Sequence, residues 1–192
     1  MTVLTNVERA PGFSDASVHA VRNDDDAFEC RAWIADNKDT LIAFDTETSG
    51  LQYHADVRLV QISDDKDAFV FDPKENHHLV EILFGGDSGN FVAHNAVFDC
   101  MHIGRLLHPN DNAGAANAAD RILSKTTDTQ LLATLLDPRG RKDGGDHSLK
   151  GLSQQLVNPN APDSQKVLLD RFKELGMNKT EGFARIDQWD PA

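Results

Sequence analysis

Asp45 and Glu47 stand one residue apart at the end of an apolar run, Leu41-Ile42-Ala43-Phe44, and Thr48-Ser49-Gly50-Leu51 follows at once. A short apolar run bounded by turn residues reads as a buried strand. Alternation along that strand turns Asp45 and Glu47 to one face and Thr46 to the other. Two carboxylates on one face repel each other unless something positive lies between them. A pair of hard divalent cations is the natural counter-charge. A solvated strand end also fits a bare Asp-x-Glu, so the rest of the chain has to decide.

A third carboxylate comes from His94-Asn95-Ala96-Val97-Phe98-Asp99. Asn90–His94 reads as a strand, and Asn95 as the cap of a helix running to about Leu107. Asp99 then lies one turn into that helix, on the side of Asn95. Ligands of α/β proteins collect beyond strand ends of this kind.

The elements that must position these groups are legible in outline. Residues 1–26 read as a lead-in, with a strand near Ser17–Val21. Ala27–Asn37 reads as a helix with Phe28, Trp33 and Ile34 on one face. Val57–Ser63 and Ala68–Phe71 are strands joined by a turn at Asp64–Asp67, so the first three strands after the lead-in form an antiparallel meander. His77–Phe84 is a short helix, and the adjacent His77 and His78 read as surface residues. Pro109–Ala119, rich in Asn, Ala and Gly, reads as a surface insertion. Lys125–Thr129 is a strand leading into a helix at Gln130–Leu136. Asp137–Asp146 is a Gly-rich basic loop. Helices follow at Ser148–Leu156, capped by Ser148, and at Pro162–Leu175, stopped by Gly176.

The 192 residues suit one α/β domain. With 19 basic against 31 acidic residues the net charge is −12, which argues against broad adhesion to nucleic acid. It leaves room for an enzyme that grips a strand end through bound cations. The acidic runs at Asp24–Asp26 and Asp64-Asp65 read as solvated surface. Cys30 and Cys100 have no paired spacing, which speaks against a disulfide framework or a zinc motif. No stretch resembles a signal peptide or reaches membrane-spanning length, so a cytoplasmic setting is expected, the host cytoplasm if the chain is phage-encoded.

Asp45-Thr46-Glu47-Thr48-Ser49-Gly50-Leu51 resembles, almost residue for residue, the first motif of the DEDD superfamily of 3′–5′ exonucleases. Asn95-Ala96-Val97-Phe98-Asp99 resembles the second. Thr127-Asp128-Thr129 with Leu131-Leu132, and then Ser148-Leu149, resemble the intervening segment of the proofreading domain of family A DNA polymerases, and Glu181–Asp187 looks most like phage-encoded members. The resemblance covers roughly residues 27–192, taken as the exonuclease domain. It implies an α/β, RNase H-like mixed sheet of about five strands with flanking helices.

It also implies two-metal hydrolysis of phosphodiesters with two Mg²⁺ or Mn²⁺ ions. Asp45 would bridge both ions, Glu47 would bind the one that generates hydroxide, and Asp99 would hold the other. Thr48 and Leu51 would line the slot for the terminal nucleotide, and Asn95 and Phe98 would flank the next sugar and base. Arg139, Arg141, Lys142 and Lys150 are candidates for phosphate contact. The implied partners are a single-stranded DNA 3′ end and a separately encoded polymerase polypeptide; no membrane is implied. The family's fourth acid, in Tyr-x3-Asp or His-x4-Asp on a later helix, has no clear counterpart. Phe183-x3-Asp187 has the spacing but reads as the loop before that helix, and the chain is expected to stop short of it. Three arrangements follow: completion by a helix from another polypeptide, a degenerate module that binds a 3′ end or a polymerase, or a free-standing enzyme using Asp187.

Overall fold

In the computed structural model, residues 3–7, 16–160 and 164–186 are described. They build one seven-stranded mixed sheet with helices around it. The strands are β1 (Val3–Val7), β2 (Ala16–Ala20), β3 (Leu41–Thr48), β4 (Val57–Ser63), β5 (Asp67–Phe71), β6 (Asn90–Ala93) and β7 (Thr126–Asp128), in spatial order β1-β2-β5-β4-β3-β6-β7. The meander β3-β4-β5 is antiparallel, as its alternation predicts, while β3, β6 and β7 run parallel. That parallel trio brings the carboxyl ends of three strands to one edge.

The sheet has two strands more than the five expected; β2 is the strand expected near Ser17–Val21, and β1 is the one not expected. β2 joins the sheet by pairing in parallel with β5. His19 holds it there: its Nε2 lies 2.9 Å from Asp67 Oδ1, and its ring stacks on Phe69 at 4.9 Å. β1, five residues long and paired only with β2 among the described residues, has little periodicity to read.

The helices are α1 (Asp24–Asn37), α2 (His77–Phe84), α3 (Ala96–Leu107), α4 (Asn112–Leu123), α5 (Thr129–Leu136), α6 (Leu149–Leu156), α7 (Ser164–Glu174) and α8 (Lys179–Ala184). α1 to α4 pack their apolar sides against Ile42, Phe44, Val60, Ile62, Phe71 and Phe91. Phe44, Phe84 and Phe91 form an aromatic cluster with centroids 5.2 to 5.7 Å apart. On β3 the alternation is strict: Ile42, Phe44, Thr46 and Thr48 are buried against these helices, while Ala43, Asp45 and Glu47 take the opposite face. Cys30 and Cys100 are buried core residues, and burial pushes both thiols up to about 12.

The helical layer corrects four expectations. α1 starts earlier than expected, because Asn23 caps it by accepting from the Asp26 amide at 3.0 Å. Asp26 is buried instead of solvated, and its carboxylate accepts from the Arg22 amide. The buried stripe is Ala27, Cys30 and Ile34, which leaves Phe28 72% exposed. Most clearly, the segment expected to be an insertion is α4, capped by Asp111 and burying Ala115, Ala118, Ala119 and Ile122. Those positions follow the i, i+3, i+4, i+7 rule, but alanine carries so little volume that composition hides it.

Small residues let α4 approach α3 closely at Gly104. A Cβ there would overlap the Ala115 carbonyl oxygen and press on Ala119. Gly104→Val is therefore expected to cost about 1–3 kcal/mol through overpacking, read as a lowered urea midpoint with an unchanged slope.

Candidate active site

The site forms where β3, β6 and β7 end. β3 and β4 carry a bulge here: Glu47 faces Leu59 and Thr48 faces Val57, which leaves Arg58 as the extra residue. Such a bulge sharpens the local twist and re-aims the side chains beside it. Asp45 and Glu47 project from β3 onto the face away from the main core. Thr46, between them, points into the core toward α3.

Asp99 reaches β3 from α3 and is 3% exposed. Its Oδ1 accepts two hydrogen bonds from Thr46, from the backbone N–H at 2.9 Å and from the hydroxyl at 2.6 Å. The residue between the two strand carboxylates thus anchors the third.

All three carboxyls sit above the ordinary range. Loss of water raises Asp45 to about 6, and Asp99 adds repulsion. Glu47 is pushed up to about 7 by burial and then by Asp45 and Asp99. Burial also raises Asp99 to about 6, against the opposing pull of the Thr46 hydrogen bonds. Groups that raise one another in this way lack a positive charge. Among the described residues, no three His, Cys, Asp or Glu side chains close tightly enough to hold a metal ion by themselves.

Asn95 takes the expected capping position, but its side chain makes no cap hydrogen bond. Its backbone is left-handed, with φ of 63°, a conformation that asparagine tolerates better than most residues. Asp128 does the capping instead. Its carboxylate accepts from the amides of Asn95 at 3.1 Å and Ala96 at 2.9 Å. It also accepts from Gln130 at 2.9 Å and Leu131 at 3.3 Å, so one side chain caps both α3 and α5. Asp-Thr before an apolar helix is a cap signal for α5; nothing local to Asp128 signals the second cap, 33 residues away.

Thr48 is buried and donates its hydroxyl to the Gly50 carbonyl at 2.6 Å, tightening the turn after β3. Leu51, beyond that turn, is 86% exposed. The loop behind it is tied to α3, where Arg105 donates to the carbonyls of Tyr53 and Ala55, and His102 Nε2 lies 3.2 Å from the Gln52 carbonyl. The His102 ring also packs on Phe98 at 4.4 Å. Thr48, Leu51 and Phe98 line one cavity of about 440 Å³ together with Thr46 and Glu47.

Some candidates do not line the cavities beside the carboxylates. Arg139 is paired with Asp137 at 2.8 Å, which holds that exposed carboxyl down at about 2. Arg141 and Lys142 lie in a short 3₁₀ turn. His77, expected at the surface, is half-buried and its Nε2 contacts the Leu106 carbonyl at 2.8 Å. Asp187 lies outside the described residues. The preceding segment, expected to be a loop, is the helix α8, and its Lys179, Thr180 and Phe183 complete the lining of the 440 Å³ cavity. The Asn178-x-x-Glu181 capping box was the available signal.

Residues 21–181 match the sequence profile of the 3′–5′ exonuclease domain of family A DNA polymerases. The chain is 28% identical to a DNA polymerase of Mycobacterium phage D29, over 91% of this chain and 29% of that one. It is 27% identical to a DNA polymerase of Mycobacterium phage L5, over 78% of this chain and 25% of that one. It therefore spans less than a third of the length of either relative. The exonuclease domain of Aedes aegypti Nibbler superposes with a TM-score of 0.55 at 15% identity, covering 95% of this chain and 85% of that one. The RNase domain of yeast Pop2 gives 0.54 at 13%, covering 89% and 86%. These likenesses show the expected RNase H-like fold. No described helix is long and apolar enough to cross a membrane.

The raised carboxyls carry a testable consequence. They bind more protons folded than unfolded, so stability falls as pH rises. The window runs from about 4, where unfolded carboxylates ionise, to about 7, the value for Glu47. With divalent cations chelated, the urea midpoint is expected to drop between pH 4 and pH 8. The Asp45→Asn/Glu47→Gln double variant should flatten that dependence and be the more stable protein at pH 8.

Proposed function

The chain belongs to the 3′–5′ exonuclease family, and on that premise we propose that it hydrolyses nucleotides from a single-stranded DNA 3′ end. The observation that carries this reading is the gathering of Asp45, Glu47 and Asp99 at the carboxyl edge of three parallel strands, each raised by loss of water and by a neighbouring carboxylate. Hard anionic oxygens that lack a counter-charge are a donor set suited to Mg²⁺ or Mn²⁺. Asp45 would be shared between two such ions, with Glu47 on one and Asp99 on the other. The bound ions would supply a hydroxide nucleophile and a counter-charge for the leaving 3′ oxygen.

The remaining residues divide the work of binding. Thr46 holds Asp99 in place, so ion binding need not pull α3 inward. Thr48 shapes the turn that presents Leu51. Leu51 and Phe98 offer apolar surface to the terminal nucleotide without reading its sequence. Asn95 keeps its side-chain amide for substrate because Asp128 has taken over the capping.

The fourth acid that the family resemblance implies would be a further ligand. Beside Asp45 and Glu47 the partly covered face of the sheet forms a groove of about 540 Å³, walled by Val18, Ala43, Val70, Val92 and Leu149. A helix with an apolar face and one carboxylate suits that groove. In this reading a polymerase polypeptide, or a longer form of this chain, supplies it.

The test is digestion of a 5′-labelled single-stranded DNA in Mg²⁺, alone and with the polymerase segment encoded alongside. Shortening from the 3′ end is expected, and Asp45→Ala or Asp99→Ala should slow it by about two orders of magnitude or more. Binding of the 3′ end without shortening, even with the polymerase segment present, would instead assign a non-catalytic end-binding role.

A further inference from the structure

The cavity beside Glu47 has two walls of different origin. One is the turn after β3 together with Phe98; the other is α8, which contributes Lys179, Thr180 and Phe183. Several local devices fix that second wall. Gly176 ends α7 with φ of 72°, and the amides of Gly176 and Met177 return to the carbonyls of Lys173 and Phe172, both at 2.9 Å. Glycine at such a position closes a helix without strain. Asn178 and Glu181 then form a reciprocal capping box, each accepting the other's amide at 3.0 Å. Gly182 is buried directly against the Phe172 ring, where a Cβ would collide. Phe172 and Phe183 pack edge to face at 5.2 Å. The α7–α8 hairpin is thus built to hold one face of α8 toward β3.

That face carries a charge the cavity otherwise lacks. Lys179 is the one cation among the described lining residues, and Glu47 is the one anion. Lys179 lies over the Phe183 ring at 5.9 Å and has no carboxylate within ion-pair distance among the described residues. The cap itself occupies the Glu181 amide of the first turn. A cavity of about 440 Å³ is of the size that takes a single nucleotide. Its apolar lining is split between Leu51 and Phe98 on one wall and Phe183 on the other.

We propose that α8 is the outer wall of the terminal-nucleotide slot, where Lys179 binds the phosphate of a nucleoside 5′-monophosphate and Phe183 packs against its sugar and base. This rests on the exonuclease reading and adds to it the group that offsets repulsion between a nucleotide phosphate and the carboxylates. It makes Lys179 a determinant of how well the slot holds a phosphorylated nucleotide, for substrate and released product alike.

Equilibrium binding separates this from the activity itself. Thymidine 5′-monophosphate and thymidine are titrated calorimetrically in Mg²⁺ against the unmodified chain and the Lys179→Gln, Lys179→Arg and Phe183→Ala variants. A charge-assisted phosphate contact predicts about tenfold weaker monophosphate binding in Lys179→Gln. Thymidine binding should not change in that variant, and Lys179→Arg should restore the monophosphate. Phe183→Ala should weaken both ligands. Equal monophosphate affinity in the unmodified chain and Lys179→Gln overturns the proposal, as does failure of the unmodified chain to bind the monophosphate, whatever its activity on DNA. Loss of DNA shortening with intact, Lys179-dependent monophosphate binding would count against the exonuclease reading and leave this one standing.

Discussion

The hydrogen bonds from Thr46 to Asp99 join the two halves of the site. They cross from the middle strand of the sheet to the helix packed on its inner face, at the residue between the two strand carboxylates. A buried carboxylate is costly unless hydrogen-bonded, and here the strand supplies both donors from a single residue. The cost left over is first the loss of water around Asp99 and Asp45, to which the neighbouring carboxylates add repulsion. Removing Thr46's hydroxyl would leave the backbone donor alone to hold α3 against that repulsion. A strand residue that looks like a spacer in the sequence is in this sense the hinge of the arrangement.

The sheet is closed on one face by α1 to α4 and only partly covered on the other, where α7 and α8 approach Glu47, Leu59, Gln61 and Val70. Inward-facing side chains of β3, β4, β5 and β6 meet four helices and form a continuous core. On the other face Ala43, Val70 and Val92 line a groove, and α5 beside it has no fully buried residue. Leu131, Leu135 and Leu136 of that helix are exposed, as are Leu156 and Val157 at the end of α6. The catalytic candidates stand at the rim of the partly covered face, so stability and chemistry are assigned to opposite sides of the same strands.

The legible parts of the sequence were those with a strong local period or a paired chemical signal. β3, β4 and β5 alternate cleanly, and Asp45 with Glu47 falls on one face by that alternation alone. Asp99 could be placed near them because a strand end and a helix start are both local features. α4 escaped because its stripe is alanine, a residue that marks neither core nor surface by hydropathy. α8 escaped because six residues give no period, and only its cap betrays it. Asp128 could be read as the cap of the helix it opens. Its second role, capping α3, depends on β6 and β7 lying side by side, which no window of sequence contains.

Net charge completes the physical picture. A chain at −12 gains little from counterion release along a nucleic-acid backbone. Its arginines near the 137–142 loop are partly spent, since Arg139 is neutralised by Asp137. On the proposed reading, affinity for internal stretches of a strand should accordingly be weak, and recognition would come from the end of the strand, where a nucleotide can enter a cavity. The same acidity that repels a phosphate backbone draws divalent cations to the carboxylates. On the proposed reading, the protein's charge would favour a ligand that arrives with metal ions and presents a single terminal nucleotide to the cavity between Leu51 and α8.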